Sequence, residues 1–162
     1  MRSNSQKTIR LFSAIAFAGL VGIAGAQAQD PAVTAAYKDM EATLGIVPGF
    51  FKAFPESGIA GAWAEFKTVQ LNPATKLSGK TKELIGLAVA AQIPCTYCVY
   101  FHTAAARANG ASDDEIREAV AMAAISRHWS TVLNGMQIDL AEFKSDTDTV
   151  LKIAGERAKK VN

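Results

Sequence analysis

The chain has 162 residues, 49% of them hydrophobic, with 17 lysines and arginines against 15 aspartates and glutamates. Three of the basic residues and none of the acidic ones lie in the first 28 positions, so the remaining 134 residues carry 14 positive and 15 negative charges. A charge near −1 excludes a strongly basic nucleic-acid-binding surface, and this length suits one domain with a full hydrophobic core.

The first 28 residues have the layout of a secretory signal peptide. A basic start is followed by the uncharged apolar stretch 11–25 and by the small-x-small cleavage signature Ala-Gln-Ala at 26–28. We predict cleavage after Ala28, because the Gly, Ala and Gln content makes the stretch weakly hydrophobic for a permanent anchor. The sequence therefore predicts a periplasmic or secreted domain, residues 29–162, with no membrane segment after cleavage. The basic residues at the start are Arg2, Lys7 and Arg10.

After the leader, the apolar residues recur mostly at helical spacing, and no run has the alternation typical of a strand. We predict an all-α domain, a bundle of about six helices. They are expected at 31–44, at 56–70, from 75 or 78 to 92, at 95–108, from 112 to about 133, and at 139–160.

Proline, glycine and capping residues set the boundaries of these helices. Pro94 cannot continue the helix before it but fits the first turn of a new one. The fourth helix is therefore expected to open on Cys95. The other signals are the Gly- and Pro-rich loop 45–49, a cap at Thr75 or Ser78, the left-handed stop Asn109-Gly110, and the capping box from Ser112 to Glu115.

The segment CTYCVYFH, residues 95–102, contains both cysteines of the chain and one of its two histidines. On a helix with about 3.6 residues per turn all three side chains share one stripe. At a rise of about 1.5 Å per residue, His102 lies about 10 Å along the axis from Cys95 but only about 6 Å from Cys98. We therefore predict that His102 is the base for Cys98. For Cys95, the unpaired backbone N–H groups of the first helical turn favour a thiolate.

Two cysteines three residues apart can form a redox pair or a structural staple. Helical Cβ atoms at this spacing are about 5–6 Å apart, whereas a disulfide needs about 3.5–4.5 Å. The bond is therefore expected to require a distorted first turn and to be easily reduced. A bridge over so few residues also stabilises little. Both arguments favour a redox pair, while export permits lasting disulfides and adds weight to a staple.

Glu83 is the predicted partner of His102. In an antiparallel helical hairpin with a tight corner, residues equidistant from the corner lie side by side, and the midpoint of positions 83 and 102 falls between residues 92 and 93, next to the predicted corner Ile93-Pro94. A carboxylate beside an imidazole orients the ring and strengthens it as a base. The alternative is that Glu83 is a solvated helix residue beside Lys80 and Lys82.

Other chemistries fit these residues less well. Haem attachment needs a histidine directly after the second cysteine, where the chain has Val99. A thioredoxin fold needs strands that the pattern lacks. Structural zinc usually gathers its ligands from separate elements, which disfavours a zinc site here, and we assign no separate role to His128. The zinc ligands would be Cys95, Cys98, His102 and either Glu83 or His128.

Residues 82–119, KELIGLAVAAQIPCTYCVYFHTAAARANGASDDEIREA, resemble the alkylhydroperoxidase AhpD / carboxymuconolactone decarboxylase family. Its redox branch carries Glu, eleven residues, Cys, two, Cys, three, His, and this chain reproduces that spacing. The similarity extends more loosely to GIVPGFF at 45–51 and to 115–134. By the roles of the family, Cys98 is the peroxidatic nucleophile, Cys95 the resolving cysteine, and His102 and Glu83 the proton relay.

The resemblance implies an all-α fold that assembles into homotrimers, hexamers or other rings, and thiol peroxidase activity with no cofactor, neither metal nor haem. The partners are then a hydroperoxide substrate and an external dithiol reductant. Two features depart from the family: Tyr97 stands where a well-studied branch has a histidine, and the chain carries a leader. The alternatives are a thiol:disulfide oxidoreductase acting on exported proteins, a non-catalytic oligomeric module with a structural disulfide, and a decarboxylase of lactone acids.

Overall fold

The computed structural model describes residues 30–161, and the predicted signal peptide, 1–28, lies outside this range. Throughout the described range every regular element is helical, which confirms the all-α prediction. A π-helical segment, Phe66–Gln70, directly continues α3. The seven α-helices are α1 (Pro31–Leu44), α2 (Gly49–Lys52), α3 (Glu56–Glu65), α4 (Gly79–Gln92), α5 (Thr96–Ala108), α6 (Asp113–Gly135) and α7 (Leu140–Val161).

The capping residues chosen from the sequence lie at the helix ends. Ser78, and not Thr75, caps α4, since its hydroxyl accepts a hydrogen bond from the backbone N–H of Thr81 at 3.1 Å. Ser112 and Glu115 form the predicted capping box of α6, with hydrogen bonds of 3.1 and 2.8 Å. Gly110 follows α5 with φ +81°, the left-handed conformation that ends a helix.

The observed helices differ from the predicted ones in two places before α4. The predicted second α-helix does not continue to residue 70, because from Phe66 onward it widens into π-helix. The backbone N–H of Leu71 donates to the carbonyl of Phe66, five residues back, at 3.1 Å. The short helix α2 begins at Gly49, the last residue of the predicted loop, with Pro48 as its N-cap.

The helices bury two clusters of apolar side chains. Each large aliphatic side chain taken out of water contributes about 1.5–3 kcal/mol to folding. Helices α4, α5 and α6 enclose the second cluster, which supports the hairpin that carries the cysteines. The first cluster consists of Val33, Ala36, Met40, Phe51, Ile59 and Trp63. The second consists of Leu87, Ala106 and Ile116.

An ion pair links α1 to the π-helical segment that continues α3. The ammonium group of Lys67 donates to both carboxylate oxygens of Asp39 at 2.7 and 2.8 Å, and the indole N–H of Trp63 donates to the same carboxylate at 2.7 Å. The hydrogen bond from Lys67, followed by that from Trp63, lowers the pKa of Asp39 below its ordinary value. On α6, a hydrogen bond from Lys80 likewise lowers the pKa of Glu115.

The π-helical segment connects α3 to the hairpin formed by α4 and α5. The ring of Phe66, packed on the first cluster, lies 6.2 Å from the ring of Phe101 on α5. The ammonium group of Lys82, on α4, donates to the carbonyls of Val69 at 2.7 Å and of Asn72 at 2.8 Å. These contacts place the segment beside the first turns of α4.

Helix α7 contributes no buried side chain among its residues 140–160. Its apolar side chains Phe143, Val150 and Leu151 are exposed. None of the described helices combines the length and the apolar character needed to cross a membrane.

Candidate active site

Cys95 and Cys98 form a disulfide at the corner between α4 and α5. Their Cα atoms are 5.2 Å apart, within the about 4.4–6.8 Å usual for disulfides. Both residues are partly exposed. The bond therefore lies at the surface, where small molecules and other proteins can reach it.

Cys95 precedes the helix that it was predicted to open. Helix α5 begins at Thr96, and Cys95 is its N-cap, with an extended backbone of φ −89° and ψ 99°. The Cys95 sulfur accepts a hydrogen bond from the backbone N–H of Cys98 at 3.2 Å. The sulfur thus takes the place that a serine or aspartate oxygen has in most N-caps. One backbone N–H of the first turn of α5, that of Cys98, therefore points at this sulfur.

His102 and Glu83 lie in direct contact across the α4–α5 hairpin. The distance from His102 Nδ1 to Glu83 Oε2 is 2.7 Å, which confirms the predicted register of these two residues. Glu83 is only 4% exposed, so the alternative that it is a solvated helix residue is wrong. The His102 side chain is 19% exposed.

The contact selects one tautomer of the His102 ring when the Glu83 carboxylate is ionised. An ionised carboxylate only accepts hydrogen bonds, so Nδ1 of His102 donates to Glu83. In the neutral ring the other nitrogen, Nε2, then has a free lone pair and can accept a proton. This is the arrangement that a general base needs.

Cys98 and His102 are four residues apart on the continuous helix α5. Side chains at this spacing are neighbours on one face, with Cβ atoms about 5–6 Å apart. Both residues are partly buried. Cys98, the inner of the two cysteines, therefore lies one turn of α5 before the imidazole, which in turn contacts the buried Glu83 carboxylate.

Two further residues of the site were not predicted. Gly86 lies under the His102 ring: a Cβ atom at position 86 would come within 2.8 Å of Nε2 and closer to Nδ1. The sequence does contain a signal for the role of Gly86. It is a glycine in the interior of a helix, one turn after Glu83, and such a glycine usually has a packing reason. Gln70 donates to the Glu83 carboxylate from the π-helical segment, and no sequence signal indicated this contact.

The remaining histidine lies apart from this site. His128 is exposed on α6, where its ring packs edge-on against Trp129 at 5.4 Å. Among residues 30–161 no three His, Cys, Asp or Glu side chains come together as metal ligands. An open groove of about 280 Å³ runs along the outer side of α3 and the π-helical segment. Its lining includes Gln70 but neither cysteine.

Comparison with known proteins agrees with this architecture. A family model described as "Carboxymuconolactone decarboxylase family" matches residues 58–139, half of the chain, and this range contains all four predicted site residues. The crystal structure of the alkylhydroperoxidase AhpD core from Rhodospirillum rubrum ATCC 11170 is similar, with 32% sequence identity and a TM-score of 0.60. The match covers 68% of this chain and 83% of that one. No curated protein matches the chain significantly. The chain therefore belongs to the carboxymuconolactone decarboxylase family and has an AhpD-like fold.

Proposed function

We propose that this protein is a thiol peroxidase that reduces hydrogen peroxide or small organic hydroperoxides through a dithiol/disulfide cycle of Cys95 and Cys98. The contact between His102 and the buried Glu83, one helical turn from Cys98, carries the proposal. A structural staple needs no such pair. The similar structure from Rhodospirillum rubrum is described as an alkylhydroperoxidase, which supports the same reaction class.

In the first half of the cycle, Nε2 of His102 takes the proton of the reduced Cys98 thiol. The thiolate attacks one oxygen of the hydroperoxide, the O–O bond breaks, and the other oxygen leaves as an alcohol or water after receiving the proton from His102. Cys98 is then a sulfenic acid. Glu83 holds the ring through Nδ1 and stabilises it while it carries the extra proton.

In the second half, the Cys95 thiol attacks the Cys98 sulfenic acid, a disulfide forms and water leaves. The sum is two thiols and one hydroperoxide giving a disulfide, an alcohol and water. An external dithiol then reopens the disulfide by exchange and is itself oxidised. The partial exposure of Cys95 and Cys98 supports this last step.

The test is mass spectrometry of the reduced protein after one equivalent of hydrogen peroxide or an alkyl hydroperoxide. We expect rapid loss of two hydrogens and a Cys95–Cys98 bond. Cys98→Ser should abolish peroxide consumption, and Cys95→Ser should stop at a sulfenic acid that a specific reagent traps. His102→Ala should slow the reaction by about 10²-fold or more.

The matched control is His128→Ala, which removes the other histidine of the chain at an exposed position. It should leave the rate unchanged. Full peroxide consumption by Cys98→Ser, or equal rates for the two histidine variants, would contradict the proposal.

A second candidate is a thiol:disulfide oxidoreductase acting on exported proteins. Tyr97 and Tyr100, beside the disulfide, are 89% and 79% exposed, and exposed aromatic residues are typical of protein-binding surfaces. Under this alternative the reduced protein exchanges disulfides readily with a protein substrate but ignores hydroperoxides. The same mass spectrometry distinguishes the two.

The proposal includes self-association and an exported location. The exposed apolar residues of α6 and α7 support a homotrimer or hexamer, since unpartnered apolar surface of this extent usually marks an interface. The leader argues for the periplasm or secretion. On α6 these residues are Val120, Met122, Ile125 and Trp129, and on α7 they are Leu140, Phe143, Val150, Leu151 and Ile153.

A further inference from the structure

The Glu83 carboxylate is held from two sides. His102 approaches from α5, and the side-chain amide of Gln70 approaches from the π-helical segment. Gln70 Nε2 lies 3.1 Å from Oε1 and 3.4 Å from Oε2 of Glu83. Gln70 itself is partly buried, and it contacts neither cysteine through any hydrogen bond within the described residues.

We propose that Gln70 is a positioning residue for His102: its amide fixes the plane of the Glu83 carboxylate, and the carboxylate fixes the imidazole. The last torsion of a glutamate side chain is broad and roughly twofold, so a single hydrogen bond leaves the carboxylate free to tilt. A second donor at the other oxygen removes that freedom. The consequence for peroxide reduction rests on the proposed function, whereas the consequence for the imidazole does not.

The π-helical segment is what aims Gln70 at Glu83. A π turn adds one residue to a helical turn and so rotates the side chains that follow it, and such turns are frequent at functional sites. The segment is closed by the Leu71 N–H to Phe66 carbonyl bond of 3.1 Å. Lys82, next to Glu83 in the chain, donates to the carbonyls of Val69 at 2.7 Å and of Gln70 at 3.4 Å. The backbone of Gln70 is therefore anchored to the helix that carries Glu83.

The amide also matches the protonation that the base requires. Gln70 Nε2 is a donor, so it complements the lone pairs of a carboxylate oxygen, which only accepts hydrogen bonds when the group is ionised. An ionised Glu83 in turn accepts the Nδ1 proton of His102 and leaves Nε2 as the acceptor. Gln70 thus acts on the sulfur only through Glu83 and His102.

The experiment compares Gln70→Met, which removes the donor at similar length, with Gln92→Met. Gln92 also donates through its side-chain amide, to the Ala123 carbonyl at 2.6 Å, on the far side of α4 from this site. Nitrogen NMR of the imidazole reports which ring nitrogen of His102 carries the proton, with His128→Gln used for assignment. Iodoacetamide alkylation of Cys98 in a Cys95→Ser background reports the reactivity of the inner thiol without any peroxide.

We expect Gln70→Met to lower the alkylation rate and the peroxide rate by about tenfold, part of the about 10²–10⁴-fold that a positioned general base contributes. The His102 signals should move toward a mixture of tautomers. Gln92→Met should change neither the two rates nor the His102 signals, even if it lowers thermal stability as much as Gln70→Met does. If Gln70→Met does not fold, Gln70→Glu keeps the size, loses the donor, and should disturb the same signals.

Wild-type imidazole signals and an unchanged alkylation rate in a folded Gln70 variant would overturn the proposal. If the wild-type protein ignores peroxide, the proposed peroxidase function is contradicted. If Gln70→Met nevertheless changes the imidazole signals of His102, the positioning role of Gln70 is supported.

Discussion

The His102 ring lies directly over the backbone of Gly86, so that a Cβ atom at position 86 would stand within 2.8 Å of Nε2. Real Cβ atoms essentially never approach other atoms closer than 3.0 Å. Glu83 lies one turn before Gly86 on α4. The His102 ring can therefore reach Glu83 only because residue 86 has no side chain.

Gly86→Ala is expected to push the His102 ring away from Glu83. A misplacement of about 1 Å at a reacting group can cost about 10²-fold in rate, so peroxide-driven disulfide formation should fall by at least about tenfold. Gly61→Ala on α3 is the control, because a Cβ atom there meets nothing within 4 Å. It should stabilise the fold by about 0.5–1 kcal/mol and keep the rate. Equal rates in the two variants would show that the ring has room to move.

Glu83→Leu is expected to lower the free energy of unfolding by about 1–3 kcal/mol, since it leaves the donors of His102 and Gln70 without their acceptor. Glu83→Gln should cost less, because its amide oxygen still accepts one of these bonds. Urea unfolding followed by circular dichroism measures both. Glu118→Leu, at an exposed position of α6, is the control and should remain within about 0.5 kcal/mol of wild type.

The contact between Glu83 and His102 could be predicted because it depends on only two local features. The corner at Ile93-Pro94 sets where the chain reverses, and helical geometry then places residues 83 and 102 at the same level. The helix ends were predictable for the same reason, since Ser78, Gly110 and Ser112 act on their own helices through short-range hydrogen bonds or backbone conformation.

The rest of the site depends on interactions that short-range patterns do not encode. Gln70 reaches Glu83 across 13 positions of chain, and its direction depends on a π turn that has no sequence signature comparable to a cap. The predicted start of α5 at Cys95 is one residue too early. Cysteine is not a typical N-cap residue, and Pro94 has the position expected of a proline just before or within a first helical turn. Both errors concern single residues whose role depends on how neighbouring segments pack.

Lys82→Met is expected to loosen the segment between the π turn and α4. The ammonium group donates to two carbonyls of the π-helical segment and to one of the loop that follows it, and losing these bonds should cost about 1–2 kcal/mol. Hydrogen exchange should become faster at residues 71–78, while the amides of α6 keep their protection. Lys144→Met on the exposed helix α7 is the control. If residues 71–78 are as well protected in Lys82→Met as in the wild type, this role of Lys82 is contradicted. The three carbonyls are those of Val69, Gln70 and Asn72.

Asp39→Asn is expected to reduce the loss of stability in acid. Hydrogen bonds from Lys67 and then Trp63 lower the pKa of Asp39 in the folded protein below its ordinary value of 3.8. A carboxyl group with a lowered folded pKa stabilises the fold above its unfolded pKa, and this contribution is lost as the pH falls through the folded value. Unfolding free energies measured from pH 7 downward should therefore decline less steeply below about pH 4 in Asp39→Asn than in wild type. Asp146→Asn on α7, the control, should follow the wild-type curve.

Helix α7 supplies the test of self-association. Phe143, Val150 and Leu151 share one side of this helix at about 100° per residue, and all three are exposed in the single chain. If that side packs against another copy, Val150→Glu places a charge in an apolar contact, which costs several kcal/mol when unpaired. Sedimentation velocity should show the wild-type oligomer converted to monomer by Val150→Glu. Ser145→Glu introduces the same charge at an exposed position on the opposite side of the helix and should leave the oligomer intact. An oligomer that survives both substitutions would show that this side of α7 does not form the interface.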